Sequence, residues 1–151
     1  MPRIKASPAP PRLIGWREHV RLPDLALGLI TAKVDTGART AALHAEDIRI
    51  HDHRVRFTVP LHGRNHHFDL PLSDERRVKS TSGHAEHRAV ISTTLALGEE
   101  SWPIEVTLTD RAGMGVPMLL GRNSIGHRFA VHPARSFILT RIKPKKKKKP
   151  K

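Results

Sequence analysis

The chain has no cysteine and no tyrosine, and only four phenylalanines and two tryptophans among its 151 residues. Without cysteine there is no disulfide, no thiolate nucleophile and no zinc site built on sulfur. That absence fits a reducing compartment. No apolar run approaches the roughly 18–20 residues a helix needs to cross a bilayer. The opening stretch MPRIKASPAPPR is basic but has no apolar core behind it, so it does not read as a secretory signal. The expectation is a soluble, cytoplasmic protein.

Acidic residues are also scarce: 14 Asp and Glu face 27 Lys and Arg, for a formal charge of +13. The distribution matters more than the size. Residues 143–151, KPKKKKKPK, hold seven lysines and two prolines, leaving +6 for everything else. Self-repulsion and the lack of apolar side chains mark 143–151 as a disordered tail. It reads either as a solvated run that aids solubility or as a non-specific site for RNA, DNA or acidic lipid. Binding of the second kind works through counterion release and collapses as salt rises. Residues 1–12 carry four prolines and read as a disordered leader. Residues 13–142 form the one domain, with no internal repeat.

What is present is β texture. In VRFTV, Val55, Phe57 and Val59 share one face while Arg56 and Thr58 share the other. In IEVTLT, Ile104, Val106 and Leu108 oppose Glu105, Thr107 and Thr109. That period of two marks strands buried on one side. LITAKV at 29–34, RAVISTTLAL at 88–97 and SFILTRI at 136–142 read as further strands. Turn signals separate them at 51–53, 62–65, 81–84, 98–100 and 111–115. The pattern predicts an all-β fold, a small closed or sandwich-like barrel. Only GRNSIGH at 121–127 looks helical, and it is too brief to stand alone.

Residues 32–40 read AKVDTGART. Asp35 leaves a strand and is followed by Thr36 and Gly37. By itself this is an ordinary Asx turn, with the carboxylate bonded to its own backbone. Two other stretches change its meaning. MLLGRNSIG at 118–126 is an apolar strand end followed by Gly-Arg-Asn and the short helix. STSGHAEHR at 80–88 is a hairpin candidate lying between the two.

In this order the stretches resemble retropepsins, the half-size aspartic proteases that act as homodimers. GWREHVRLPDL, AKVDTGARTAALHA, RVKSTSGHAEHRAVI, WPIEVTLTDRAGMGVPMLLGR and FAVHPARSF are similar to a bacterial branch of that group. The branch is often encoded beside, or fused to, RimK-type ATP-grasp ligases. It also carries an older label, ATP-dependent zinc protease. The resemblance covers about residues 13–140 and implies an aspartic endopeptidase that needs no cofactor.

The implied chemistry is specific. A water sits between two carboxyls, one ionised as general base and the other protonated and donating to the scissile carbonyl. Two carboxyls about 3 Å apart cannot both ionise, so they share a proton and titrate as a pair. Asp-Thr-Gly occurs once in this chain. Its twin must come from a second copy across a twofold axis. The resemblance makes Asp35 the reacting group, with Thr36 bonding across subunits beneath the pair. Gly37 lets backbone approach the carboxylates. Leu119, Leu120, Gly121, Arg122 and Asn123 match the segment supporting that loop.

Residues 80–88 would be the flap that closes over substrate. Ser80, Thr81, Ser82, Gly83 and His84 would form its tip, and Ala38 and Arg39 would meet the substrate from below. Two departures stand out. The tip is polar rather than glycine-rich. The retroviral pattern has acids after Asp-Thr-Gly-Ala, and this chain has Arg39. Arg122 therefore lacks the acid it would pair with, and Arg39 would favour a substrate carboxylate.

Eleven histidines raise the question of metal. HAEH at 84–87 has the wrong order for the helical His-Glu-x-x-His site. HDH at 51–53 falls in a turn, and His66 and His67 would point to opposite faces. No metal site is expected. Two other functions remain open beside catalysis. One is a dimeric module that binds glutamate-extended peptides without turnover. The other is a nucleic-acid-binding accessory protein acting through residues 143–151.

Overall fold

The computed structural model describes residues 10–79 and 85–141. Twelve strands run through them. They are β1 (Arg12–Gly15), β2 (Arg17–Val20), β3 (Ile30–Val34), β4 (Ala41–His44), β5 (Glu46–His51) and β6 (Arg54–Leu61). After these come β7 (Arg64–Pro71), β8 (Asp74–Lys79), β9 (Ala85–Leu97), β10 (Glu100–Thr109), β11 (Met118–Leu120) and β12 (Phe129–His132). One helical turn, α1 (Arg122–Ile125), follows β11.

Seven strands form one sheet in the order β2-β3-β11-β4-β10-β9-β8. Arg21 and Ala96 then exchange backbone hydrogen bonds of 3.0 and 2.9 Å, which brings β9 back against β2. The first six strands therefore close into a barrel, and β8 projects beyond it as one arm of a hairpin with β9. Strand alternation fills the interior. Ile30, Leu43, Ile91, Leu95, Leu108, Met118 and Leu120 are fully buried, each such side chain contributing about 1.5–3 kcal/mol relative to exposure.

A second sheet, β5-β6-β7, covers one side of the barrel. Val55, Phe57 and Val59 face the core, and Phe57 stacks on Phe68 at 5.2 Å. The β5–β6 turn places Asp52 and His53 at φ values of 47° and 60°. Two left-handed residues in succession are what a tight hairpin requires. Thr58, Thr107 and Thr109, expected on solvent faces, are buried as well. The Thr58 hydroxyl meets His67 Nδ1 at 3.0 Å, and the Thr107 hydroxyl meets that of Thr40 at 3.2 Å.

Four expected strands have shifted ends: LITAKV begins at Ile30, RAVISTTLAL starts earlier, at Ala85, IEVTLT starts at Glu100, and VRFTV extends to Arg54 and Leu61. A fifth is absent. Residues 136–141 form no strand but an irregular strap along the open edge of β2. Trp16 N–H donates to the Arg135 carbonyl (3.0 Å), Phe137 N–H to the Arg17 carbonyl (2.8 Å), and His19 N–H to Thr140 Oγ1 (2.8 Å). The next three amides, of Ile138, Leu139 and Thr140, donate to the Glu18 carboxylate at 2.9, 3.2 and 2.9 Å. With successive N–H groups committed to one side chain, no strand ladder can form. Phe137, at φ 53°, makes the corner and stacks on His19 at 4.4 Å.

Candidate active site

β11 lies between β3, to which it is parallel, and β4, to which it is antiparallel. The chain leaves β3 at Asp35 and re-enters the sheet at Ala41 on the far side of β11. Residues 35–40 must therefore cross the end of β11. Gly121 is the crossing point. A Cβ there would lie 2.4 Å from the Thr40 carbonyl oxygen and 2.7 Å from the Arg39 carbonyl carbon. No side chain fits, which accounts for glycine at this position.

The crossing is fastened on both sides. Asp35 N–H donates to the Leu120 carbonyl at 2.9 Å. Arg122 N–H and Asn123 N–H donate to the carbonyls of Ala38 and Arg39, each at 2.8 Å. Leu120 is buried opposite Val34, and Leu119 pairs with Lys33 and Ala42. The Arg122 guanidinium, left without an acid by the sequence, donates from Nη1 to the Thr36 carbonyl at 2.9 Å. It thus braces the same loop through backbone.

Within the loop, Asp35 Oδ1 accepts the Gly37 N–H at 3.1 Å. The Asx turn is real, and it holds a half-buried carboxylate at the barrel rim. A Cβ at Gly37 would stand 3.3 Å from that oxygen, tighter than most real contacts. Thr36, Gly37 and Arg39 are exposed and Ala38 is half-buried. Ser80, Thr81, Ser82, Gly83 and His84 lie outside the described residues. The hairpin arms on either side, β8 and β9, are paired from Asp74↔Val90 to Lys79↔Ala85.

Two cavities adjoin the loop. One, of about 290 Å3, is lined by Thr40, Asn123 and Ser124 together with Arg76, Ile104 and Glu105. Arg76 on β8 is ion-paired there with Glu105 on β10 at 2.7 Å. The other, of about 420 Å3, is lined by Trp16, Lys33, Val34, Thr36, Val131 and Pro133 and is mostly apolar.

Sequence reasoning missed Glu18. Its side chain is wholly buried, and its carboxylate accepts five hydrogen bonds. Besides the three strap amides, the donors are Gly15 N–H (2.6 Å) and the Thr140 hydroxyl (2.6 Å). Burial alone raises its pKa. The Thr140 hydroxyl and the amides of Gly15, Thr140 and Leu139 outweigh burial and hold the carboxyl below its ordinary value. The signal was available: in WREHVRL, Glu18 is in phase with Val20 and Leu22, both buried.

Among the described residues, His44, Glu46 and Asp110 bring metal-ligating atom types within 4.8 Å of one another. His44 Nδ1 accepts the Arg111 N–H at 3.1 Å. A neutral ring then carries its proton on Nε2, which lies 3.5 Å from Glu46. The lone pair a cation would need there is occupied by that proton. The geometry fits an imidazole–carboxylate contact better than a metal site.

A family model described as RimB-like, retropepsin-like aspartic endopeptidase RimB, matches residues 13–142. A probable alpha-L-glutamate ligase of Parasynechococcus marenigrum is 43% identical over 135 residues, which is 84% of this chain. One of the same description from Shewanella pealeana is 36% identical over 135 residues. The chain spans only 29% and 30% of the length of these two relatives. A crystal structure of a Legionella pneumophila protein of unknown function superposes with a TM-score of 0.72 at 32% identity. It covers 85% of this chain and 98% of the other.

Proposed function

The chain belongs to the RimB-like family of retropepsin-like aspartic endopeptidases, and we propose that it works as one half of such a peptidase, completed by a second copy. Each copy contributes Asp35. The ionised carboxylate of one takes a proton from water as the water oxygen bonds to the scissile carbonyl carbon. The carboxyl of the other gives its proton to the carbonyl oxygen. The tetrahedral adduct then collapses. The peptide C–N bond breaks as the leaving nitrogen takes the proton held by the first carboxyl and one hydroxyl of the adduct returns its proton to the second, so the pair again shares one proton. Thr36 and Gly37 complete the catalytic loop.

The observation that carries this reading is the braced crossing of residues 35–40 over Gly121. It fixes the backbone of Asp35 while leaving its side chain a single internal hydrogen bond among the described residues. The apolar cavity beside Thr36 suits burial against the second copy. An acidic peptide is the favoured substrate. Arg39 is exposed beside the reacting loop, and the relatives named as glutamate ligases make glutamate-rich chains the natural choice.

The test is cleavage of a glutamate-rich peptide, followed by mass spectrometry. Asp35→Asn is expected to abolish cleavage while sedimentation still finds the dimer. Arg39→Ala is expected to erase the preference for acidic over neutral peptides. A strictly monomeric protein, or cleavage that survives Asp35→Asn, overturns the reading. The relatives' names also favour a second reading, a dimeric module that binds acidic peptides without turnover. In that case the wild-type chain leaves peptide intact, and Asp35→Asn retains its affinity.

A further inference from the structure

Glu18 is the most completely furnished polar group in the described chain, and the proposed reaction has no use for it. Its five donors come from two places far apart in sequence: Gly15 at the β1–β2 corner, and residues 138–140 of the strap, 120 to 122 positions away. The knot has an outlet. The corner it fixes carries Trp16, whose N–H is held by the Arg135 carbonyl. The Trp16 carbonyl accepts the Val34 N–H at 2.8 Å. That rung extends the β2–β3 ladder to the residue just before Asp35. The next rung, on the other side of β3, is the bond from Asp35 N–H to Leu120.

The Asp35 loop is thus located by two supports, one from β11 and the α1 residues that follow it, the other from β2. The β11 support rests on the barrel core. The β2 support rests on the Glu18 knot. Close approach tightens the second: a Cβ on Gly15 would lie 2.6 Å from the Arg135 carbonyl oxygen and 2.7 Å from Ser136 Cα. The strap has no strand partner of its own. Beyond the knot it is kept by Phe137 on His19, by two backbone bonds to Trp16 and Arg17, and by Leu139, which packs over Gly98.

We infer that Glu18 is a positioning residue for the Asp35 loop, coupling the seating of the strap to the placement of that loop. The inference rests on the reading of Asp35 as the reacting group, and its physical content is separable from that reading. A seated strap holds the β1–β2 corner and with it the Trp16–Val34 rung. A released strap frees the corner, and Asp35 keeps only its support from β11.

The decisive measurement is amide hydrogen exchange on the full chain, wild type against Glu18→Gln. The amide side chain turns one acceptor oxygen into a donor aimed at donors. Exchange is expected to quicken at Gly15, Ile138, Leu139 and Thr140. It should also quicken, by about tenfold or more, at Val34, Asp35 and Gly37, while Phe57 and Val59 in the second sheet stay within about twofold. Faster exchange confined to the strap and corner, with Val34 to Gly37 unchanged, overturns the coupling. Thr140→Val removes one of the five donors to Glu18, together with the acceptor of the His19 N–H, and guards against general loss of structure. It should give the same regional pattern more weakly, and uniform acceleration in both variants overturns the coupling. With a cleavable peptide, Glu18→Gln should lower kcat with little change in KM and move the pH profile of the aspartate pair. An unmoved profile and kcat in a variant whose strap exchanges faster also overturns it. If the wild-type chain cleaves no peptide, the peptidase reading fails, and the exchange pattern alone decides the coupling.

Discussion

Glu18 lies on β2 and Asp35 just past the end of the neighbouring strand β3, and the two are treated in opposite ways. Glu18 is wholly buried and saturated by five donors. Asp35 is half-buried and takes one bond, from Gly37. For Glu18 the fold has spent backbone amides on the side chain, so removal of the carboxylate orphans its donors. For Asp35 the fold grips the backbone, through Leu120 and the crossing at Gly121, and leaves the carboxylate oxygens with capacity to spare. A carboxylate that holds a structure together and one free to engage a water are thus distinguished by where the hydrogen bonds go.

The contrast can be broken most directly at Glu18. Glu18→Ala leaves five donors without their acceptor and is expected to cost about 4 kcal/mol after water reaches some of them. In a thermal melt that is a fall of about 10 °C or more. Gly121→Ala comes next. Its Cβ meets backbone rather than a movable side chain, and the loss in urea unfolding should be about 3 kcal/mol. Acid should act on Glu18 and sharpen the comparison. Its carboxyl is held below the ordinary range, so its stabilisation is complete above the unfolded value of about 4.3 and is lost as pH falls through the lower folded one. Tryptophan fluorescence should report Trp16 loosening in that window. His19→Ala, which removes the ring stacked on Phe137, separates the neighbouring histidine from the carboxylate. Asp35→Asn should be the mildest change, within about 0.5 kcal/mol of wild type. Equal losses from Asp35→Asn and Glu18→Ala would erase the distinction.

The sequence was legible where side chains alternate and where a turn has a fixed chemistry. VRFTV and IEVTLT announced β6 and β10, and Asp-Thr-Gly announced the Asx turn. It was misleading at SFILTRI. β-branched and apolar residues describe what a segment can bury, and they do not reveal that its amides have been claimed by an acid more than a hundred residues earlier. The partner of Arg122 was hidden for the same reason. Sequence shows which acids are missing, whereas a backbone carbonyl is present at every position and becomes a partner only through folding.

The knot at Glu18 has a consequence in time. Glu18 leaves the ribosome some 120 residues before the amides that satisfy it. Until then its charge must stay hydrated, and the edge of β2 beside it stays unsealed. Contacts of such long sequence separation also slow folding. Each growing polypeptide therefore passes through a stage in which its sheet is largely made but its rim is not yet set. The edge of β2 is sealed only once residues 138–140 reach it.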